Sequence, residues 1–200
     1  MMVTNLHHKF VYEYCKNFRE VGSIVPDSKA CIDALLRFVP FNSGRILLEY
    51  GAASGAVTRE IISRKDPEAV LISFEKSSRF YAEIKKFASC QQVFLINDDM
   101  FNCARILAEQ FGLAGKVVDC IISTLPCSFL DCDELIRTSV LPLLREQGVF
   151  IQYMHTLSLI RGFRLSPIVK KYFRRVNSEF VFRNLPPVYV YTCWEPRPAV

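Results

Sequence analysis

EYGAASG, residues 49–55, joins the end of a strand-like run to the start of a helical pattern. Gly51 and Gly55 frame this turn, and small residues there let a ligand approach the backbone where a helix N-terminus offers free N–H groups. Glu75 ends a second strand-like run about twenty residues further on, where a carboxylate can accept both ribose hydroxyls of an adenosine cofactor. The pattern predicts a cofactor site in a strand-turn-helix. The alternative is that Glu75 caps a helix or lies on the surface.

Strand-like and helical patterns alternate from this turn onward. Five strands are predicted at residues 45–50, 69–75, 92–97, 117–123 and 148–154. Helices are predicted between them at residues 55–64, 78–88, 100–112 and 131–145. Asp131 and Asp133 are placed to cap the last of these helices. Such alternation is typical of a parallel sheet built from βαβ crossovers.

The C-terminal part departs from this alternation. Two strand-like runs, RRVNSEFVF and VYVYTCW, are separated only by residues 184–187, which are too few for a crossover and predict an antiparallel pair. We therefore expect an α/β fold with a mostly parallel seven-stranded sheet, an antiparallel C-terminal strand and helices on both faces.

Two helical segments precede the first strand. In the first, apolar residues recur at four-residue steps from Leu6 to Phe18, while basic residues lie off that line. Such an amphipathic, aromatic and basic helix either packs on its own domain or lies in a membrane interface. The second segment opens at Pro26, which suits a first helical turn, and runs to about Val39. We expect one domain at 1–200, with a helical extension at 1–42 and an α/β core at 43–200.

Composition excludes several classes of protein. With 200 residues, half of them hydrophobic, the chain is long enough for one compact domain. Because no apolar run reaches the roughly 20 residues of a spanning helix and the N-terminus lacks the apolar core of a secretory signal, we expect a cytoplasmic protein. The eight cysteines form no Cys-x-x-Cys pair and no zinc-ligand spacing, which predicts buried thiols in a reducing compartment and no metal site.

The net charge of +5 is concentrated near the C-terminus. Residues 161–183 hold seven basic side chains against one acid, Glu179. Such a segment can meet a phosphate-bearing surface, and the alternative is a solvated basic face without a partner.

Ala53 distinguishes between candidate cofactors. A dinucleotide fingerprint requires glycine at this position because pyrophosphate must come close to its backbone, so Ala53 argues against NAD. S-adenosylmethionine (SAM) carries no phosphate and tolerates more bulk. The third predicted strand ends at Asp98 and Asp99, where a carboxylate can accept a bond from the adenine amino group. We favour Asp99 for this bond, with Asp98 placed to cap the following helix.

Several separated motifs occur along the chain in a fixed order. They are VGSIVPDS at 21–28, EYGAASG at 49–55, VTR at 57–59, an acid at Glu75, STLP at 123–126, IQ at 151–152 and NLPPVYVY at 184–191. In these motifs and their spacing the chain resembles the bacterial phospholipid N-methyltransferases, a family of Rossmann-like class I SAM-dependent methyltransferases. The resemblance extends over nearly the whole chain.

The resemblance implies methylation of the ethanolamine amine of a phospholipid at the cytosolic face of an anionic membrane. The N-terminal helix and residues 161–183 would supply the apolar and basic docking surface that such an enzyme needs. The chain departs from the family pattern at Ala53, where a glycine is expected, and at residues 98–100, where DDM replaces GDA. It departs again at His155, which replaces the tyrosine of a T-Y-G element.

His155 lies where the family resemblance places the substrate head group. Histidine titrates near neutrality and can accept a proton from an ammonium substrate; the alternatives are a structural histidine or a water near Ser123 and Tyr153. The predicted catalytic residues are therefore His155, Tyr153 and Ser123. The predicted cofactor-binding residues are Glu49, Gly51, Ala53, Ser54, Gly55, Glu75, Lys76, Asp98, Asp99, Met100 and Ser123.

Other functions fit parts of the pattern. RNA adenine N6-methylation needs an Asn or Asp followed by an aromatic residue after the fourth strand. This chain has STLPC at residues 123–127 instead, which disfavours a nucleic-acid partner. The remaining alternatives are a methyltransferase for another small amine, and a non-catalytic binding module in which Ala53 and Asp98 have abolished cofactor binding.

Overall fold

The computed structural model describes residues 27–160 and 162–198. Seven strands lie within those residues: β1 (Ile46–Tyr50), β2 (Val70–Phe74), β3 (Val93–Ile96), β4 (Val118–Ser123), β5 (Leu144–His155), β6 (Phe173–Val181) and β7 (Val188–Pro196). They form one sheet in the order β3-β2-β1-β4-β5-β7-β6.

Strand direction defines two edges of the sheet. Strands β1 to β5 are parallel, and β7 is antiparallel to both β5 and β6. β6 therefore points the same way as β1 to β5, and all six strands end at one edge, which we call the carboxyl edge; the opposite one is the amino edge. The predicted mostly parallel sheet with an antiparallel C-terminal strand is confirmed.

Seven α-helices lie within the described residues: α1 (Lys29–Leu36), α2 (Ala56–Arg64), α3 (Ser78–Ile84), α4 (Cys103–Phe111), α5 (Cys132–Leu135), α6 (Leu157–Ile160) and α7 (Leu165–Tyr172). Short 3₁₀ turns extend α3 over Lys85–Ser89 and precede α4 at Met100–Asn102. A π-helical turn, Ile136–Val140, extends α5. The helix predicted to reach residue 145 ends earlier because β5 begins at Leu144, which pairs with Val118 of β4.

Only one of the two predicted caps of this helix is formed. Asp131 accepts a hydrogen bond from the Glu134 backbone N–H at 3.0 Å and is the N-cap of α5. Asp133 lies inside the first turn, where its carboxylate binds the Lys171 ammonium at 2.8 Å and the Tyr172 hydroxyl at 2.7 Å. The expectation that Asp133 caps the helix is therefore wrong, since its side chain joins α5 to α7 instead.

Helices cover both faces of the sheet, as expected. On the first face, strand residues such as Tyr50 and Phe150 pack with α4, α5 and α7. On the second face, Leu47 and Ile151 pack with α1 and α2. Alternate residues of a strand point to opposite faces, so each buried parallel strand contributes to both cores.

Part of the predicted N-terminal extension lies on the second face. Ser28 caps α1 by accepting a hydrogen bond from the Cys31 backbone N–H at 3.1 Å. The predicted first helix and the motif residues before 27 lie outside the described residues. Among the described residues, no helix combines the length and the hydropathy that crossing a bilayer requires.

Candidate active site

The turn between β1 and α2 lies at the carboxyl edge, and three of its residues adopt left-handed backbone conformations. The φ angles are +83° at Gly51, +46° at Ala53 and +79° at Gly55. A Cβ at Gly51 would lie 2.9 Å from the Leu125 side chain, and one at Gly55 would lie 2.7 Å from the Phe87 ring. Both positions therefore require glycine for space as well as for conformation. Ala53 adopts a conformation that costs an L-residue about 1–2 kcal/mol.

Glu75 stabilises this strained turn. It follows β2 at the carboxyl edge and is 7% exposed. One carboxylate oxygen accepts the Ala53 N–H at 2.8 Å, and the other accepts the Ser77 N–H at 2.7 Å. A carboxylate offers about four acceptor positions, so two remain for further donors. The structure places Glu75 directly against the turn, where ribose hydroxyls were expected to bind.

Glu49 lies beneath the turn, fully buried on the second face. Its Oε2 accepts hydrogen bonds from Thr58 Oγ1 at 2.8 Å and Ser73 Oγ at 2.7 Å. Its Oε1 has no hydrogen-bond partner within the described structure. Burial raises the pKa of this carboxyl to about 7, against the opposing effect of the two hydroxyl donors. Thr58 and Ser73 were not predicted as site residues, although Thr58 belongs to the VTR motif at 57–59 and Ser73 is a polar residue in the apolar strand β2.

The raised pKa of Glu49 predicts a pH-dependent stability. Between its ordinary value of 4.5 and the folded value of about 7, the folded protein holds a proton that the unfolded chain releases. The stabilising contribution of Glu49 is therefore present at acid pH and is lost as pH rises towards 7, a change of about 3 kcal/mol. The free energy of unfolding of wild type relative to Glu49→Gln, measured in urea, should fall by this amount between pH 5 and pH 8. A difference that stays constant over this range contradicts the assignment.

The residues after β3 form a rim beside Glu75. Asp99 Oδ2 binds the Lys76 ammonium at 2.7 Å, and Asp99 Oδ1 accepts the Phe101 N–H at 3.1 Å. Asp99, not Asp98, is therefore the cap of the turn that precedes α4, because it is the last residue with extended backbone. Asp98 Oδ1 instead accepts bonds from its neighbour's N–H and from the Asn102 amide. The hydrogen bond and charge of Asp99 raise the pKa of Lys76.

Two predicted cofactor residues occupy different environments. Ser54 is half-buried within the turn itself. Met100 is 8% exposed and packs in the first-face core, so the structure places its side chain among core residues.

Two amide side chains that the sequence did not single out as site residues hold the strand ends together. Asn97 donates to the Glu75 carbonyl at 2.8 Å and thereby joins the ends of β2 and β3. Gln152 donates to the Leu125 carbonyl at 2.9 Å and joins β5 to the segment after β4. Its Oε1 is buried without a hydrogen-bond partner within the described structure. Asn97 directly precedes Asp98, and Gln152 belongs to the IQ motif at 151–152.

The three predicted catalytic residues do not form one cluster. Ser123 has the same strand parity as Ile121 and lies on the first face, where its hydroxyl accepts the Leu125 N–H at 3.4 Å. Tyr153 and His155 lie on the second face, with ring centroids 4.9 Å apart. Strand alternation thus separates Ser123 from the other two side chains.

His155 does not titrate near neutrality, contrary to the expectation. Burial lowers its pKa to about 4, and a hydrogen bond with the Pro186 carbonyl opposes this only in part. The imidazole is 8% exposed and is neutral at physiological pH. Burial also raises the pKa of the Tyr153 hydroxyl, which therefore stays protonated. An ammonium group is a much weaker acid than an imidazolium with so low a pKa, so proton transfer from the ammonium group to His155 is strongly unfavourable.

The basic segment at 161–183 divides between the two edges of the sheet. Helix α7 begins after Arg164 near the carboxyl edge, and its last turn carries Lys171 near the amino edge. Strand β6 then returns, so Arg183 again lies at the carboxyl edge. Lys171 lines a cleft of about 360 Å³ at the amino edge together with Lys116, Arg137 and Arg197. This cleft lies at the edge opposite to the β1–α2 turn.

Comparison with known proteins agrees with this geometry. No protein-family model matches the chain. A curated relative, the ornithine lipid N-methyltransferase of Singulisphaera acidiphila, is 26% identical over 188 residues, which cover 92% of this chain and 93% of the relative. The chain is a SAM-dependent methyltransferase. The curated relative, the class I fold and the turn held by Glu75 agree on this conclusion.

Solved structures show the same Rossmann-like class I fold. The precorrin-6y C5,15-methyltransferase of Geobacter metallireducens superposes with a TM-score of 0.63 at 18% identity, over 84% of this chain and 89% of that chain. A SAM-dependent O-methyltransferase of Thermotoga maritima gives a TM-score of 0.59 at 15% identity, over 84% and 66% of the two chains.

The residues at the carboxyl edge fit SAM. Glu75 retains two acceptor positions for ribose hydroxyls, and the left-handed turn at 51–55 leaves its small residues beside the start of α2. Asp99 is placed at the adjacent strand end, where the adenine amino group was expected, although Lys76 now shares its carboxylate. We expect these groups to hold the nucleoside and the turn to hold the amino-acid end of the cofactor.

Proposed function

We propose that this methyltransferase acts on the primary amine of a membrane lipid head group. The observation that carries the proposal is the curated relative, which matches nearly end to end and is named for N-methylation of ornithine lipid. The motif resemblance to phospholipid N-methyltransferases supports the same class of acceptor. Ethanolamine and ornithine head groups share a primary amine at the bilayer surface, and the experiment below distinguishes them.

The reaction places simple demands on the protein. SAM supplies an activated methyl group, so the amine lone pair forms a C–N bond while the C–S bond breaks and its electrons pass to sulfur. The chain must hold the two reactants in line and exclude water, and it needs no covalent nucleophile. The β1–α2 turn and Glu75 fix one reactant, while the segment after β4, anchored by Gln152, borders the other.

The ammonium form of the acceptor must lose a proton before transfer. The pKa of about 4 makes the His155 imidazole a poor proton acceptor at neutral pH, so in our proposal the acceptor amine loses its proton to solvent before it enters the site. In our proposal His155 and Tyr153 instead shape the wall of the acceptor site at the end of β5. Ser123 is fully buried on the other face of the sheet and is not part of this wall.

We propose that the reaction takes place at the cytosolic side of the membrane. All seven cysteines among the described residues are free thiols, and six of them are fully or almost fully buried at 2% exposure or less without forming a disulfide. Free thiols are typical of a reducing compartment. This agrees with the reaction site that the family resemblance implies.

Transfer of labelled methyl groups tests the acceptor directly. The full chain is incubated with methyl-labelled SAM and, separately, with vesicles containing phosphatidylethanolamine, vesicles containing ornithine lipid, total RNA, or free ethanolamine and ornithine. We expect label in one or both lipid fractions. Label in RNA alone, or in the free amines but not in the lipids, overturns the proposal.

A further inference from the structure

Exposed large hydrophobic side chains are concentrated at the carboxyl edge. Among the described residues, Leu185 is 76% exposed, Phe182 is 68% exposed and Phe180 is 51% exposed, and these are the three largest values. All three lie at the end of β6 or in the connection to β7. Leu159, at 38%, lies in α6 just after β5. Such clustering of apolar groups marks an interaction surface rather than ordinary surface exposure.

Two cations accompany these side chains. Arg183 lies over the Phe182 ring, 5.5 Å from its centroid. Arg164 precedes α7 and is exposed at the same edge. The surface therefore combines apolar side chains with positive charge, which complements an anionic lipid bilayer.

The β6–β7 connection is held firmly on the rest of the protein. Asn184 is 6% exposed, although it lies between the exposed Phe182 and Leu185. Its amide donates to the Pro186 carbonyl at 3.0 Å, and its Oδ1 accepts the Ser28 N–H at 2.8 Å. The Thr156 N–H and hydroxyl both donate to the Pro187 carbonyl. These bonds fix the connection against the end of β5 and the start of α1.

We propose that Leu159, Phe180, Phe182, Leu185, Arg164 and Arg183 form a bilayer-docking surface, the hairpin surface, whose apolar side chains enter the interface of an anionic membrane. The inference rests on the proposed function, because it specifies how the enzyme meets its lipid. When the protein docks through this edge, the β1–α2 turn faces the bilayer, since β1, β2, β4 and β5 also end there. A lipid amine then reaches the site without leaving the head-group region.

Vesicle flotation tests the hairpin surface independently of catalysis. Full-length protein is mixed with vesicles of phosphatidylcholine and phosphatidylglycerol, neither of which carries a primary amine. We expect Phe182→Ser with Leu185→Ser to reduce the bound fraction at least about tenfold, because two exposed apolar side chains no longer enter the bilayer. SAM affinity of the double variant should equal that of wild type, which verifies its folding.

Charge variants provide a matched control. Arg164→Ser with Arg183→Ser should weaken binding to the anionic vesicles about 30-fold, since each basic residue near the surface contributes about 1 kcal/mol. Lys170→Ser with Arg174→Ser removes the same charge from positions towards the amino edge, and this pair should bind nearly as wild type does. Equal losses in the two pairs overturn the proposal, because they indicate attraction by net charge alone.

The outcomes separate this inference from the proposed function. If flotation depends on the hairpin surface but no lipid is methylated, the proposed docking surface stands and the proposed methyl acceptor is wrong. If Phe182→Ser with Leu185→Ser still floats with vesicles like wild type and methylates lipid in detergent, the proposed acceptor stands and the docking surface is wrong. The proposal is also overturned if the wild type does not bind vesicles but forms a dimer in solution that Phe182→Ser with Leu185→Ser dissociates. That result assigns the surface to a second copy of the chain.

Discussion

Glu75→Ala should weaken the binding of SAM more than about 100-fold, because hydrogen bonds to a charged acceptor contribute about 1.5–3 kcal/mol each and the two ribose hydroxyls that we expect Glu75 to hold lose theirs. The substitution also removes the acceptor of the Ala53 N–H, which the wild type holds at 2.8 Å. The turn then loses the interaction that offsets its strained backbone. Calorimetric titration of the full chain with SAM measures the effect.

Glu83 provides the matched control for this substitution. It is an exposed acid on α3, the helix that follows Glu75 in the chain. Glu83→Ala removes the same charge without removing an acceptor from the turn, so its SAM affinity should stay within about twofold of wild type, in line with the small effect of exposed charges. Equal affinity of Glu75→Ala and wild type removes Glu75 from the cofactor site.

Gly55→Ala should lower the free energy of unfolding by about 2–5 kcal/mol. The left-handed backbone at φ +79° costs an L-residue about 1–2 kcal/mol, and the overpacked methyl group adds about 1–3 kcal/mol. The new methyl would lie 2.7 Å from the Phe87 ring and 2.9 Å from Ile84, so both side chains must move. Urea unfolding at a fixed pH measures the change.

Gly112 separates the two contributions. It ends α4 with φ +67°, and an added Cβ there meets nothing within 4 Å. Gly112→Ala should therefore cost only the conformational part, about 1–2 kcal/mol. A loss at Gly55 no greater than that at Gly112 contradicts the packing that the structure shows around the turn.

The fold and the position of the turn follow from local patterns. Apolar runs of strand length alternate with segments of helical periodicity. This alternation predicts a parallel sheet from the sequence alone. Because parallel strands end at a common edge, Glu75 and Asp99 could be placed beside the turn from their positions after β2 and β3. In the structure Glu75 accepts a hydrogen bond from the turn, whereas Asp99 binds Lys76.

Properties that depend on burial could not be predicted in this way. The sequence shows a histidine after β5, but only the packed structure shows that it is 8% exposed and that its pKa falls to about 4. The same holds for Glu49, whose partners Thr58 and Ser73 come from two other elements. Desolvation is a property of the assembled core, and no local pattern reports it.

The basic segment at 161–183 shows that charges close together in the sequence can lie far apart in the fold. Its charges form one cluster in the sequence, but α7 rises about 1.5 Å per residue and carries Lys171 away from Arg164. Strand β6 then returns the chain to Arg183. Four of the six basic residues that the structure describes in this segment, Lys170, Lys171, Arg174 and Arg175, thus lie towards the amino edge, away from the cofactor turn, which the sequence pattern alone does not reveal.

The position of the transferred methyl group tests the central claim most directly. The full chain is incubated with deuterium-methyl SAM and vesicles that contain both phosphatidylethanolamine and ornithine lipid, and the extracted lipids are fragmented in a mass spectrometer. We predict that the label lies on the head-group nitrogen of a lipid in wild type and that Glu75→Ala yields little or none of this product. Label absent from every lipid, while the protein binds SAM, would contradict methylation of a membrane lipid amine.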